Sequence, residues 1–174
     1  MSSPSDDSVQ RISTPRQHTA LAHPTRQRLL FALSGGPSTI SRLAAQLGVN
    51  KGSVSHHLGV LGEAGLIQEA GTRTVRGGTE KYYRRSAERL VAAEPRAEGT
   101  AALFGAVAQE LERSPVGHLL TLRHIRLSPA RAARLAKALA EIVDGAEEEP
   151  EGGPVHGVLV TLYQQAGPQG PAGT

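Results

Sequence analysis

Between Asn50 and Ile67 the chain reads NKGSVSHHLGVLGEAGLI. Val54, Leu58 and Leu61 recur at i, i+4 and i+7, the spacing of one buried helix face. Asn50 suits the cap of this helix, and Gly65 its end. The rest of its surface is small and polar: Ser53, Ser55 and His56, with Lys51 near the start. No acid appears before Glu63. A solvated helix ordinarily mixes charges and favours carboxylates in its first turn. An acid-free N-terminal half is instead suited to close approach to a polyanion.

The flanking residues extend the pattern. Ser38 or Thr39 can cap a short helix from Ile40 to Leu47, with Ile40, Leu43, Ala44 and Leu47 inward. Gly48 then stops it, and Val49 plugs the turn. An earlier helix reads from Pro15 or Arg16, interrupted near His23-Pro24, with Leu29, Leu30 and Leu33 on one side. SGGPS at 34–38 breaks the chain. Downstream, Leu66 to Ala70 reads as a strand, GTRTVRGGTE as a loop, and KYYRR at 81–85 as the returning strand.

Two short helices joined by a tight turn and followed by such a hairpin make a winged helix-turn-helix. The second helix of the pair lies in the DNA major groove, where only small or polar side chains permit close approach. Lys51, Ser53, Ser55, His56 and His57 are therefore the candidate DNA-binding residues of the recognition helix. His57 lies beside the buried face, suited to packing or to phosphate. Arg73, Arg76 and Lys81 are the candidates in the wing, for the adjacent backbone or minor groove.

The fold class expected is α+β: a winged helix-turn-helix domain with a C-terminal strand–helix–strand extension. Residues 1–15 are expected to be a disordered tail, and 16–90 the DNA-binding domain. Residues 91–113 supply a linker and dimerisation helix, with Phe104, Ala108 and Leu111 as candidate interface residues. Residues 114–165 form an αβ unit for dimerisation or an effector: a strand at 118–127, a helix capped by Ser128, an acidic linker from Glu147, and a strand at 155–165. Residues 166–174 are again expected to be a disordered tail.

Charge supports this division. Residues 16–90 hold eleven Lys and Arg against four Asp and Glu, net +7. Residues 91–174 hold seven against ten, net −3. A basic half beside an acidic half fits one polyanion-binding domain and a second domain with another task. The absence of cysteine excludes disulfides, thiolate metal sites and a cysteine nucleophile. His118 and His124 would stand roughly 20 Å apart on a strand, too far to share an ion within one chain. Gly77-Gly78 is not followed by the Lys-Ser/Thr of a phosphate loop, and no acid pair sits in a catalytic motif. No enzyme, cofactor or metal is expected. With no signal-peptide core and no apolar run of membrane-spanning length, a soluble cytoplasmic protein is the default.

HPTRQRLLFAL, TISRLAAQLGVNKGSVSHHLGVLGEAGLI and GGTEKYYRR resemble the ArsR-type winged-helix transcriptional regulators over residues 16–90. The resemblance implies a homodimer on a palindromic double-stranded operator, with repression the expected sign. It also implies base reading by Ser53, Ser55 and His56, and backbone contact by Arg73 and Arg76. The cysteine-based metal sensing of the founding members has no residues to carry it here. Two other readings stay open: a winged-helix protein-interaction module without DNA contact, and a DNA-binding regulator whose C-terminal unit senses a small-molecule effector.

Overall fold

The computed structural model describes residues 9–92, 96–115, 117, 119–147 and 153–164. The expected C-terminal tail, the first eight residues, most of the acidic linker and His118 lie outside them. The chain divides into two compact units, one ending at Leu119 and the other beginning at Leu120.

Local chemistry sets each helix start in the first unit. Helix α1, Pro15–Leu21, opens with a capping box in which Thr14 and Gln17 each accept from the other's backbone N–H. Helix α2, Pro24–Ala32, begins where Pro24 breaks α1, with His23 Nδ1 accepting from Thr25 N–H at 3.1 Å. A 3₁₀ turn at Leu33–Gly35 ends it. Helix α3, Ile40–Leu47, is capped by Thr39, and helix α4, Lys51–Glu63, by Asn50, whose Oδ1 accepts from Ser53 N–H at 2.8 Å. Between α3 and α4, Gly48 adopts φ +70°, a conformation that costs a side-chain-bearing residue and lets the chain turn within three residues.

One core holds these helices together. Leu29 of α2, Leu43 of α3, Val54 and Leu61 of α4, and Leu66 are fully buried. Each such leucine contributes about 1.5–3 kcal/mol by burial. Strands β1 (Val9–Ile12), β2 (Ser38–Thr39), β3 (Ile67–Val75), β4 (Gly78–Arg85) and β5 (Arg89–Ala92) complete the unit. β4 lies between β2 and β3, antiparallel to both.

Two expectations change. Residues 9–12 are not tail: β1 pairs in parallel with β5, and Ile12 enters the core. The apolar side chain of Ile12 supplies the burial, and a partner strand some eighty residues away supplies the ladder. The wing is also longer than a loop between short strands. β3 runs through Arg73 to Val75, and its register shifts between Glu69 and Gly71, a bulge that twists the hairpin.

Helix α5, Ala97–Arg113, packs on α1 and α2. Its small residues Ala102 and Ala106 are buried, while Phe104 and Ala108 face outward. Arg28 ties the helices together, donating to the Leu47 carbonyl at 3.2 Å and standing 3.9 Å from the Glu110 carboxylate.

The second unit contains helix α6, Pro129–Asp144, capped by Ser128. The described residues of the two expected strands, 119–127 and 155–164, are in no ladder. Strand pairing needs a hydrogen-bonded neighbour, and neither segment has one among the described residues. They do meet through side chains, with Tyr163 Oη 3.3 Å from His124 Nε2.

Candidate nucleic-acid interface

α4 turns Val54, Leu58 and Leu61 into the core. The opposite side is therefore fixed by the 3.6-residue period. Gly52, His56 and Gly59 are exposed on it, with Ser55 exposed at its edge; Lys51 in the first turn and Gly62 in the last are exposed on the flank. Ser53 and His57 are half-buried on the flank. Ser53, one residue before Val54, stands about 100° round the helix from it, and its backbone N–H serves the Asn50 cap. Glu63, the only acid on this helix, stands at the far end, 3.6 Å from Arg16. The N-terminal half of the helix thus carries no acid of its own.

Gly59 and Gly62 went unremarked in the sequence pattern. A Cβ at either position would meet nothing within 4 Å. Neither glycine is required by packing within the chain, and Gly59, in the helix interior, costs about 0.5–1 kcal/mol relative to alanine. Gly59 on the outward face, with Gly62 beside it in the last turn, lowers the relief there, which suits a surface lying against another molecule. The signal of Gly59 was available: a glycine in the helix interior, between the buried Leu58 and Leu61.

The wing carries Arg73 within β3, directly opposite Glu80 of β4, and Arg76 in the two-residue turn between Val75 and Gly78. Both arginines are exposed. Lys81 is engaged otherwise. Its Nζ donates to Glu69 Oε1 at 2.8 Å, and this hydrogen bond and charge hold the ammonium pKa above its ordinary value. Lys81 is therefore a weaker candidate than the arginines for phosphate.

Three imidazoles meet where α2 begins and α4 passes. The His23 and His57 rings are 4.6 Å apart, and those of His56 and His57 5.3 Å. Burial lowers the pKa of His57, as do the neighbouring charges of His23, Arg26 and His56. Burial, Arg26 and His56 likewise lower that of His23. The cap of α2 needs His23 Nδ1 unprotonated, since it accepts from Thr25 N–H. Folding thus favours the neutral rings. Their contribution is complete above the ordinary value of 6.5. It is lost as pH falls below that, because the unfolded chain then binds protons that the folded chain resists. Thermal melts from about pH 8 to about pH 5 should show a falling midpoint, and His57→Gln should flatten the fall. Parallel profiles would assign the dependence to other groups.

Among the described residues, no group of three or more His, Asp or Glu could hold a metal ion. No helix there is long and apolar enough to cross a membrane.

Residues 23–69, which contain α2 to α4 and the start of the wing, match the family model described as bacterial regulatory protein, arsR family. The chain is 38% identical over 50 residues to the transcriptional repressor SdpR of Bacillus subtilis, covering 29% of this chain and 56% of that protein. It is 48% identical over 48 residues to the HTH-type transcriptional regulator CmtR of Mycobacterium bovis, covering 28% of this chain and 41% of that one. It thus spans about half the length of these curated relatives. Among solved structures, the transcriptional repressor BigR from Xylella fastidiosa aligns with 22% identity and a TM-score of 0.35, over 56% of this chain and 84% of that one.

Proposed function

We propose, from the match of residues 23–69 to the arsR-family model, that the protein is an ArsR-type, sequence-specific DNA-binding regulator of transcription. It acts as a homodimer, and as a repressor. Its work is binding, not catalysis. The observation that carries the reading is the exposed, acid-free strip of α4 beside a wing bearing Arg73 and Arg76. A protein-interaction module has no need of that pairing. Docking is driven by phosphate, bases are read by Ser55 and His56 with Lys51 at the helix start, and the dimer sets half-site spacing. The stripe of Phe104, Ala108 and Leu111 on α5 lies opposite Ala102 and Ala106, which are buried within the protomer. Phe104 is 47% exposed, so this stripe is the surface on which the first units pair.

The test is a mobility shift of promoter fragments with and without excess competitor DNA. A competitor-resistant complex is expected. His56→Ala should weaken it by about 1–3 kcal/mol and weaken non-specific binding far less. Equal losses would assign His56 to the backbone. No complex on any fragment would favour the interaction-module reading.

Gly59→Ala separates folding from recognition. The free protein should gain about 0.5–1 kcal/mol of stability, as the helix propensity dictates. DNA affinity should fall, because a methyl group would stand between helix and groove. Thermal melts and binding isotherms on the same preparation give both readings. A variant that gains stability without losing affinity would place Gly59 away from the DNA.

A further inference from the structure

The wing springs from a narrow root. β3 leaves it at Ile67, two residues beyond Gly65, and β4 returns at Arg85. Ser86 N–H donates to the Leu66 carbonyl at 3.0 Å and closes the root. The N-terminal segment lies across both limbs. β1 runs parallel to β5, with Gln10 level with Leu90 and Ile12 with Ala92, so it grips the chain just after β4. On the other limb, Gln10 Nε2 donates to the Gly65 carbonyl at 3.0 Å, where α4 gives way to β3. Arg16, at the start of α1, donates to the Glu63 carbonyl at 3.4 Å and stands 3.6 Å from its carboxylate.

β1 sorts its side chains by the strand period. Gln10 and Ile12 turn inward, half-buried and buried, while Val9 and Arg11 are exposed. The core accounts for Ile12. It does not account for Gln10, whose amide reaches a backbone carbonyl fifty-five residues away. A two-stranded ladder is marginal by itself, so such side-chain ties decide whether β1 stays in place. The geometry of the wing magnifies any change at its root. β3 is nine residues long, roughly 30 Å of strand. A swing of about 10° at the root would carry Arg76 about 5 Å, enough to break a phosphate contact of about 3 Å.

We propose that residues 9–12 are a strap that fixes the angle between the wing and α4, with Gln10 as its positioning residue. Gln10 touches no DNA; it decides whether Arg73 and Arg76 reach phosphate while α4 lies in the groove. That consequence rests on the regulator reading above, whereas the strap itself does not.

The cysteine-free chain accepts spin labels at chosen sites, so the full-length protein tests the strap without DNA. Labels on Ser55→Cys and Thr74→Cys, both exposed, report the distance from α4 to the wing. Labels on Ala45→Cys and Ser55→Cys report α3 against α4. Gln10→Pro removes the side-chain donor and a backbone N–H of β1. It should broaden the first distance distribution and leave the second as narrow as in the parent. Gln10→Glu keeps the size but sets an oxygen against the Gly65 carbonyl, and should broaden the first by less. Val9→Thr, on the outer side of β1, should change neither. If neither Gln10 variant broadens the helix-to-wing distribution alone, or if Val9→Thr broadens it as much, the proposal is overturned.

DNA then separates this inference from the one it rests on. In unlabelled protein, Arg73→Ala with Arg76→Ala should flatten the salt slope by roughly 3–4 in the parent. In Gln10→Pro, whose wing already misses the phosphates, it should flatten it by less than about 1. Partial unfolding lowers the active fraction and not the slope, so it does not imitate this result. Equal flattening in both backgrounds would overturn the aiming role of the strap. If the parent forms no competitor-resistant complex, the regulator reading falls, and the helix-to-wing distances alone decide the strap.

Discussion

Leu61→Ala should cost the first unit about 2–5 kcal/mol of stability, read as a lowered denaturation midpoint at unchanged slope. Leu61 has no solvent exposure and sits where α4 meets the shared core. Removing its branched side chain leaves a hole that its neighbours refill only in part. A domain of this size has about 5–15 kcal/mol in total, so a large share of the fold is lost with one residue. The same helix offers its own control. Ser55 is exposed on the outward face, and Ser55→Ala should shift stability by no more than about 0.5 kcal/mol. The two variants should part in the opposite sense on DNA. Ser55→Ala should weaken cognate binding in a protein that is fully folded. Leu61→Ala should weaken it only as far as the folded population falls, and operator DNA in excess should recover that population by mass action. If Leu61→Ala melted like the parent, the packing of α4 against α2 and α3 described above would be wrong.

What could be read in advance follows from how local each determinant is. The caps Thr39 and Asn50, the stop at Gly48 and the break at Pro24 act within four residues, so the helix pair was legible. β1 was not. Val9–Ile12 carries one strongly buried residue in a polar stretch, and its ladder partner is β5, far along the chain. The wing was read as a hairpin but with strands too short and a long loop, because Gly71, Gly77 and Gly78 punctuate it. In three dimensions Gly71 follows a bulge and the other two close the turn. For α5 the apolar positions were legible but not their division into two faces, since alanines meet α2 while Phe104 and Ala108 face out. The alternating apolar segments around 119–127 and 155–164 were read as strands from their pattern. Pattern specifies which side of a strand is apolar, and only a neighbour supplies the ladder. On the candidate interface the sequence named residue types but not their surroundings: Ser53 lies on the flank, Lys81 pairs with Glu69, and the exposed Gly59 passed unnoticed.

The wing arginines give the clearest quantitative consequence of the DNA-binding reading. Suppose that Arg73 and Arg76 each neutralise one phosphate per protomer. Removing both from a dimer removes four contacts, and the slope of log affinity against log salt should flatten by roughly 3–4, at about 0.9 per phosphate. Across a fourfold change in salt this amounts to about two orders of magnitude in relative affinity. Specific and non-specific binding should weaken together, because phosphate contacts position the protein without reading sequence. The hairpin register refines the expectation. Arg73 stands opposite Glu80, whereas Arg76 stands alone in the turn. Arg73→Ala leaves an acid on the wing facing the phosphates, so it should lower affinity at least as much as Arg76→Ala while changing the slope no more. Affinity measured against salt, on two operators that differ only in their flanks, distinguishes the modes of contact. A loss concentrated on A/T-rich flanks would mean insertion into a narrow minor groove. An unchanged slope on both operators would mean that the wing does not touch DNA, and the +7 charge of residues 16–90 would have to serve another surface.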